Sequence, residues 1–130
     1  MKSIRVVCAI IEQNGEILAA KRSTCQPHGG CWEFPGGKIN EDEEPKSAIV
    51  REIREELGAD IKVLRVLDAV THDYPDKRIT LMPFVCRVEN GELTALEHEE
   101  LRFVDKKEAA RLPWLPPDRL ILEQYLLTVS

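Results

Sequence analysis

A chain of 130 residues is long enough for one domain with a hydrophobic core that needs no staples. Hydrophobic residues at 43% and charged residues at 32% point away from a disordered chain and from a membrane protein. The net charge of -5 argues against a protein that coats nucleic acid by charge alone, although an acidic enzyme can hold an acidic substrate when a divalent cation sits between them.

Residues 4–12 are rich in Val and Ile and predict a buried strand. Their apolar run is too short for the core of a signal peptide, and no small-residue cleavage site follows it. No stretch is long enough to span a bilayer, so the expected compartment is the cytoplasm and the expected organisation is one domain over 1–130. Asn14-Gly15 is a strong hairpin signal, which makes Glu16 to Lys21 the returning strand. Residues 23–31 carry Ser, Thr, Pro, His and Gly and predict a loop. Inside it Cys25, His28 and Cys31 form a C-x2-H-x2-C array. It reads either as a structural zinc site that recruits His72 or, with no fourth ligand nearby, as ordinary loop residues; the second reading is preferred. Cys8 and Cys86 lie in apolar runs and read as small core residues. Trp32-Glu33-Phe34 reads as a short extended piece stopped by Pro35-Gly36-Gly37.

The clearest helix is predicted from Pro45 to Leu57. Proline suits its first turn, Gly58 suits its C-cap, and Glu43 and Glu44 sit where the helix dipole favours negative charge. Ile49, Ile53 and Leu57 form its buried stripe. Residues 61–70 and 79–88 predict strands joined by a turn at Tyr74-Pro75-Asp76, with a second tight turn at Asn90-Gly91. Residues 101–104 predict a short strand, and Asp105 a cap for a short helix from Lys106 to Arg111. A last helix is expected from Asp118 to about Leu127, with Leu120, Ile121, Leu122, Tyr125 and Leu126 inward. Strands and helices in mixed order argue for a mixed sheet between helices, an α+β chain layered as an α/β/α sandwich.

The chemistry concentrates on the central helix. Glu52, Glu55 and Glu56 are spaced i, i+3 and i+4, which puts them on one flank beside the apolar stripe. Like charges at that spacing repel. A bound divalent cation relieves the repulsion, and clustered carboxylate oxygens are the ligands Mg2+ and Mn2+ prefer. The other reading of the spacing is a merely acidic surface helix.

The surrounding residues decide between these readings. Gly37, five residues, Glu43, seven residues, then Arg51-Glu52-Ile53-Arg54-Glu55-Glu56-Leu57-Gly58 matches the signature G-x5-E-x7-R-E-U-x-E-E-x-G-U, U being a bulky aliphatic, at every fixed position but the last, where Ala59 stands. The chain is therefore identified as resembling the Nudix hydrolases. Trp32 to Ile39 and Tyr74 to Leu81 resemble the MutT branch, while Glu97-His98-Glu99 and Pro116-Pro117-Asp118 are closer to the CTP pyrophosphohydrolases related to it. The resemblance implies the Nudix fold, with the motif as a loop-helix-loop. It also implies Mg2+, with Mn2+ able to substitute, held by Glu52, Glu55, Glu56 and the carbonyl of Gly36. Glu97 is expected as a further ligand or general base, though Glu99 and Glu100 compete for that place. Glu55 is the other candidate base, and Arg51 the residue that holds a carboxylate in its ligating orientation. Arg22 is expected on substrate phosphate, assisted by Lys38. Phe34 reads either as a platform for the base or as a buried aromatic beside Trp32. Asp118 stands where MutT itself carries an asparagine. It reads either as an acceptor for an exocyclic amine or as a helix cap. The activity implied is hydrolysis of a nucleoside triphosphate to NMP and pyrophosphate, of (d)CTP or a modified dCTP first, or else of 8-oxo-dGTP in sanitising the nucleotide pool. A catalytically silent nucleotide-binding module is the least favoured reading. A small-molecule nucleotide is the only partner expected, with no nucleic acid, membrane or obligate protein.

Overall fold

Residues 7–11 of the first strand are buried without a break, and both of its faces are covered. In β1 (Lys2–Gln13), Val7, Ala9 and Ile11 enter one core while Cys8 and Ile10 enter another. A strand with period-two side chains and no polar face must lie inside a sheet covered on both sides. The computed structural model, which describes residues 2–24 and 28–129, places β1 there.

Asn14 and Gly15, at φ of 52 and 80, turn the chain into β2 (Glu16–Lys21), as the Asn-Gly pair predicts. After β3 (Trp32–Glu33) the structure departs from expectation. Gly36–Lys38 form β4, antiparallel to β1 with Gly36 opposite Cys8 and Gly37 opposite Val7, where a break had been predicted. Glycine permits this approach, since a Cβ on Gly36 would lie 1.9 Å from the Val7 carbonyl oxygen.

Helix α1 (Pro45–Leu57) has the predicted limits, with proline in its first turn and Gly58 left-handed at φ 70. Ile49, Ile53 and Leu57 are fully buried, as their spacing requires. Glu44 is its N-cap residue but makes no side-chain cap, and Glu43 turns to Arg51 instead. The single strand expected over 61–70 is two, β5 (Asp60–Val66) and β6 (Val70–Asp73), both antiparallel to β7 (Lys77–Asn90). A bulge in β5 and the break after Val66 let one apolar run bend along a long partner. Asn90 ends β7 and Gly91 follows at φ 88. A connection over 92–99 then leads to β8 (Glu100–Val104).

Asp105 accepts from the Glu108 N–H at 2.8 Å and caps α2 (Lys106–Arg111), as predicted. The last helix, α3 (Pro116–Thr128), starts two residues early with Leu115 as its N-cap. Ile121, Leu122 and Tyr125 are buried and Leu126 packs against them, but Leu120 is 48% exposed and does not face inward.

The strand order is β3-β2-β1-β7-β5, with β1 and β7 parallel and the other pairs antiparallel. One face of this mixed sheet packs on α1, the other on α2 and α3, which gives the expected α/β/α sandwich. Among the described residues no helix is long and apolar enough to cross a membrane.

Candidate active site

Two depressions meet at β4. A cavity of about 460 Å³ opens on the α3 side between the start of β1, the loop after β2, the β6–β7 turn and the first turn of α3. A polar cleft of about 160 Å³ adjoins it on the α1 side, lined by Arg22, Glu33, Gly36, Glu56, Glu97 and His98. Arg22, Glu33 and Gly36 line both, so they form the neck between them.

The acidic cluster depends on the glycines of β4. A Cβ on Gly37 would lie 2.4 Å from a Glu52 carboxylate oxygen, so only glycine lets that side chain rest against the strand. Glu56, one turn on, is 5% exposed. Burial raises its pKa far above the ordinary carboxylate range. The adjoining Glu52 carboxyl, which shares a hydrogen bond with it, and then Glu97 and Glu33 add to the shift. The connection after β7 is pinned to the end of α1, with the Thr94 N–H on the Leu57 carbonyl at 2.8 Å and the Leu96 N–H on that of Glu56 at 3.3 Å. This brings Glu97 to the cleft. Its two competitors go elsewhere, Glu99 to Lys21 at 3.2 Å and Glu100 to Arg102 at 2.9 Å.

Arg51 organises more carboxylates than its spacing suggests. Its Nε and Nη2 grip both oxygens of Glu43 at 2.7 and 2.9 Å, while Nη1 reaches Glu52 at 3.0 Å and Glu55 at 3.1 Å. Nη2 also donates to the Lys38 carbonyl, tying the helix to β4. This grip holds the Glu43 carboxyl down at about 2. Glu55 is 55% exposed on the Arg51 side of the helix, and neither it nor Glu52 is among the residues that line the cleft.

Among the described residues no three acidic, His or Cys side chains yet converge on a point that a metal ion could occupy. The donor chemistry nevertheless fits a hard divalent cation. Glu52 and Glu56 press two carboxyls together beside Glu97 and the Gly36 backbone, and a buried carboxyl without a cation can only be neutralised by a proton. The residues that would hold the ion are those four, with Glu55 beside Glu52 and Glu56 on α1. The zinc reading of Cys25, His28 and Cys31 involves Cys25, which lies outside the described residues.

In the larger cavity, Asp118 is 4% exposed within the first turn of α3, past the Leu115 position that a capping role needs. Its Oδ2 accepts the Phe34 N–H at 2.9 Å across the neck of the fold. Burial drives its pKa up to about 7, against the opposing pull of that hydrogen bond. Phe34 is buried beside Trp114 and also lines the cavity, which is compatible with both of its readings. It is 3% exposed, and its ring lies 4.5 Å from that of Trp114, so it forms the cavity floor. Arg22 donates to Glu33 at 2.9 Å, and Lys38 stands exposed at the cavity rim.

Residues without an expected role also line the site. Glu33 and His98 are hydrogen-bonded to each other at 2.8 Å, and Tyr74 of the β6–β7 turn closes the far wall of the cavity. All three lie in segments whose resemblance is visible in sequence, but Glu33 and His98 are 65 residues apart and no periodicity links them.

With the geometry in place, the comparisons give the class of protein. The NUDIX domain model matches residues 1–125, and the chain belongs to that family. It is a Nudix hydrolase, a class that acts on pyrophosphate bonds of small nucleotides and uses divalent cations. Among curated relatives, a CTP pyrophosphohydrolase of Escherichia coli is 38% identical over 97% of this chain and 93% of its own length. An 8-oxo-dGTP diphosphatase of Proteus vulgaris is also 38% identical, over 72% of this chain and 84% of its own. The solution structure of the E. coli ORF135 protein superposes with a TM-score of 0.86 at 38% identity, covering 98% of this chain and 91% of that one. A MutT NUDIX hydrolase from Burkholderia pseudomallei gives 0.82 at 30%, covering 95% and 98%.

Proposed function

We propose that this chain is a Mg2+-dependent nucleoside triphosphate pyrophosphohydrolase of the cytoplasm, with Mn2+ able to substitute, and that it converts (d)CTP or a modified dCTP to the monophosphate and pyrophosphate. The observation that carries the base preference is Asp118, a buried carboxyl in the wall of the nucleoside-sized cavity. An ionised carboxylate can only accept hydrogen bonds, and cytosine offers its exocyclic amine as a donor. The breadth of the match to the relative named CTP pyrophosphohydrolase supports the same reading.

The nucleoside occupies the cavity over Phe34, and its phosphates pass the neck at Arg22 into the acidic cleft. Arg22 and Lys38 supply positive charge along that path. Mg2+ would be held by Glu52, Glu55, Glu56, Glu97 and the Gly36 carbonyl, and would supply neutralisation of the phosphate chain and activation of water. Arg51 holds Glu52 and Glu55 in place. Glu97 stands in the cleft and takes the proton of the attacking water, whereas Glu55 is engaged by Arg51.

The second reading is an 8-oxo-dGTP diphosphatase. Asp118 could accept equally from the N1–H and N2 amine of guanine, and the Proteus relative carries that name. A panel of dCTP, 5-methyl-dCTP, dGTP, 8-oxo-dGTP and ADP-ribose, assayed with Mg2+ for pyrophosphate and monophosphate, separates them. Preference for cytosine nucleotides supports the proposal. Preference for 8-oxo-dGTP overturns it for the second reading. No turnover of any triphosphate overturns both.

A further inference from the structure

His98 does something in this site that a packing role does not explain. Its side chain is 5% exposed, and Nε2 lies 2.8 Å from Glu33 Oε2. The other Glu33 oxygen takes the Arg22 Nη1 hydrogen at 2.9 Å. A carboxylate already accepting from arginine accepts again, so Nε2 is the nitrogen that carries the proton. Among the described residues, His98 Nδ1 is buried without a hydrogen-bond partner. Leaving such an atom unsatisfied costs about 1–3 kcal/mol. Among the described residues, the polar contact that holds this ring is the one to Glu33.

We propose that His98 is a positioning residue for substrate binding: it orients the Glu33 carboxylate, and through it the Arg22 guanidinium, at the neck between the nucleoside cavity and the acidic cleft. The three side chains come from separate elements. Arg22 follows β2, Glu33 ends β3, and His98 sits in the connection before β8. That connection is fixed at both sides, by the Leu96 N–H on Glu56 at 3.3 Å and the Glu99 N–H on the Lys21 carbonyl at 2.9 Å. His98 therefore stands on a rigid support, although its segment lies outside any strand or helix. The connection that delivers Glu97 to the cleft thus also delivers the group that aims Arg22. The position of the phosphate path and the position of the acidic cluster are set by one segment.

A guanidinium has five N–H groups in a fixed plane, so a carboxylate that grips one edge decides where the others point. Glu33 needs its own orientation fixed to do this, because a carboxylate held only by Arg22 can rotate with it. The Nε2–H bond supplies the second point of attachment. Electrostatics favour the arrangement too. Glu33 offsets part of the arginine charge at the neck.

The proposal rests on the phosphate path given above, so the test includes a readout that needs no substrate. The side-chain 15Nε–1H order parameter of Arg22 is measured by NMR in the metal-free protein, for the parent chain and for His98→Ala, His98→Gln and Glu33→Gln. The expected result is a rigid Arg22 in the parent, a mobile one in His98→Ala, and recovery in His98→Gln, whose amide N–H2 can still donate to Glu33. With the triphosphate that the chain turns over best, His98→Ala should raise KM about tenfold with kcat changed less than about threefold, the signature of lost ground-state binding. His98→Gln should recover most of that loss. Glu33→Gln should add little to His98→Ala, because both remove one linkage. An Arg22 order parameter unchanged in a folded His98→Ala overturns the proposal. So does a fall in thermal stability alone, without a KM effect that His98→Gln rescues. If no triphosphate is hydrolysed but Arg22 loosens as expected, the function has failed and the positioning role stands.

Discussion

Replacing Asp118 by asparagine tests the base-reading assignment and the burial of the carboxyl together. The group is 4% exposed, and its pKa rises from 3.8 to about 7, chiefly through desolvation. A carboxyl with a raised pKa in the folded state favours folding only while it is protonated, so its contribution is complete below the unfolded value and is lost as pH rises through about 7. The full penalty of ionisation is roughly 4 kcal/mol, and about 3 kcal/mol of it falls between roughly pH 5 and pH 8. The amide of the variant would keep an acceptor for the Phe34 N–H, now 2.9 Å from Oδ2, and would carry no charge. Asp118→Asn should therefore gain stability relative to the parent by about 3 kcal/mol between about pH 5 and pH 8 in denaturant titrations. At neutral pH the same change should lower kcat/KM for dCTP by about 5- to 150-fold, since the oxygen left for the cavity has become an amide N–H2. In the parent, KM for dCTP should fall as pH rises through about 7, because the ionised carboxylate is the stronger acceptor for the amine and presents no O–H toward it. Parallel stability curves for the two proteins would refute the buried, late-titrating carboxyl. Unchanged discrimination between dCTP and dGTP would refute its role as reader.

Glu56→Gln removes the most deeply buried member of the acidic cluster; it should lower kcat by roughly a thousandfold or more while raising the melting temperature of the metal-free protein at neutral pH, since a carboxyl no longer has to take up a proton to be buried. Added Mg2+ should raise the melting temperature of the parent more than that of the variant, and equal shifts would remove Glu56 from the ligand set. Gly36→Ala places a Cβ 1.9 Å from the Val7 carbonyl oxygen, so β4 must leave β1; a loss of about 2–4 kcal/mol is expected by chemical denaturation, and a neutral result would show that the approach can relax. Arg51→Lys keeps the charge but not the fork that reaches Glu43, Glu52, Glu55 and the Lys38 carbonyl; kcat should fall at least tenfold with KM little changed, and a loss in KM alone would assign Arg51 to substrate instead.

The parts of this chain legible in sequence are those where the cause is local. Helix α1 announces itself by Pro45, Gly58 and the Ile49, Ile53, Leu57 stripe, and its limits come out as predicted. The Asn14-Gly15 turn and the Asp105 cap are likewise local chemistry. Strand β4 is not legible, because glycine and proline signal a break. Here the same glycines permit a backbone approach to Val7 that no neighbouring residue reveals. Leu120 is misplaced by assuming that every apolar residue of α3 faces inward. Within the site, the acidic helix is visible because its spacing is short-range. The Asp118–Phe34 bond spans 84 residues and the His98–Glu33 bond 65, so the tertiary fold alone brings those pairs together.

The same distinction explains how an acidic chain can receive a polyanion. The carboxylates of α1 stand on one face of the sheet, and the cavity for the nucleoside lies on the other, with two glycines of β4 as the boundary. Arg51 offsets one of the three negative charges of Glu43, Glu52 and Glu55 from outside the cleft, and Glu56, its pKa raised by burial, adds its charge there only when a cation replaces its proton. On the cavity side, Arg22 lines the neck and Lys38 the rim along the proposed phosphate path, while Asp118 lies buried in the cavity wall. Charge is thus graded along the path, with positive charge at the neck and rim and a small carboxyl pair at the end. A cation bound by that pair would turn the acidic end from a barrier into the point where the phosphates are held. This arrangement makes binding of a nucleoside monophosphate nearly independent of Mg2+ and binding of the triphosphate strongly dependent on it. Calorimetry with dCMP and dCTP, with and without the ion, would show the contrast. Equal Mg2+ dependence for both would mean that the acidic cleft reaches into the nucleoside cavity, and that the separation across β4 is not what orders the site.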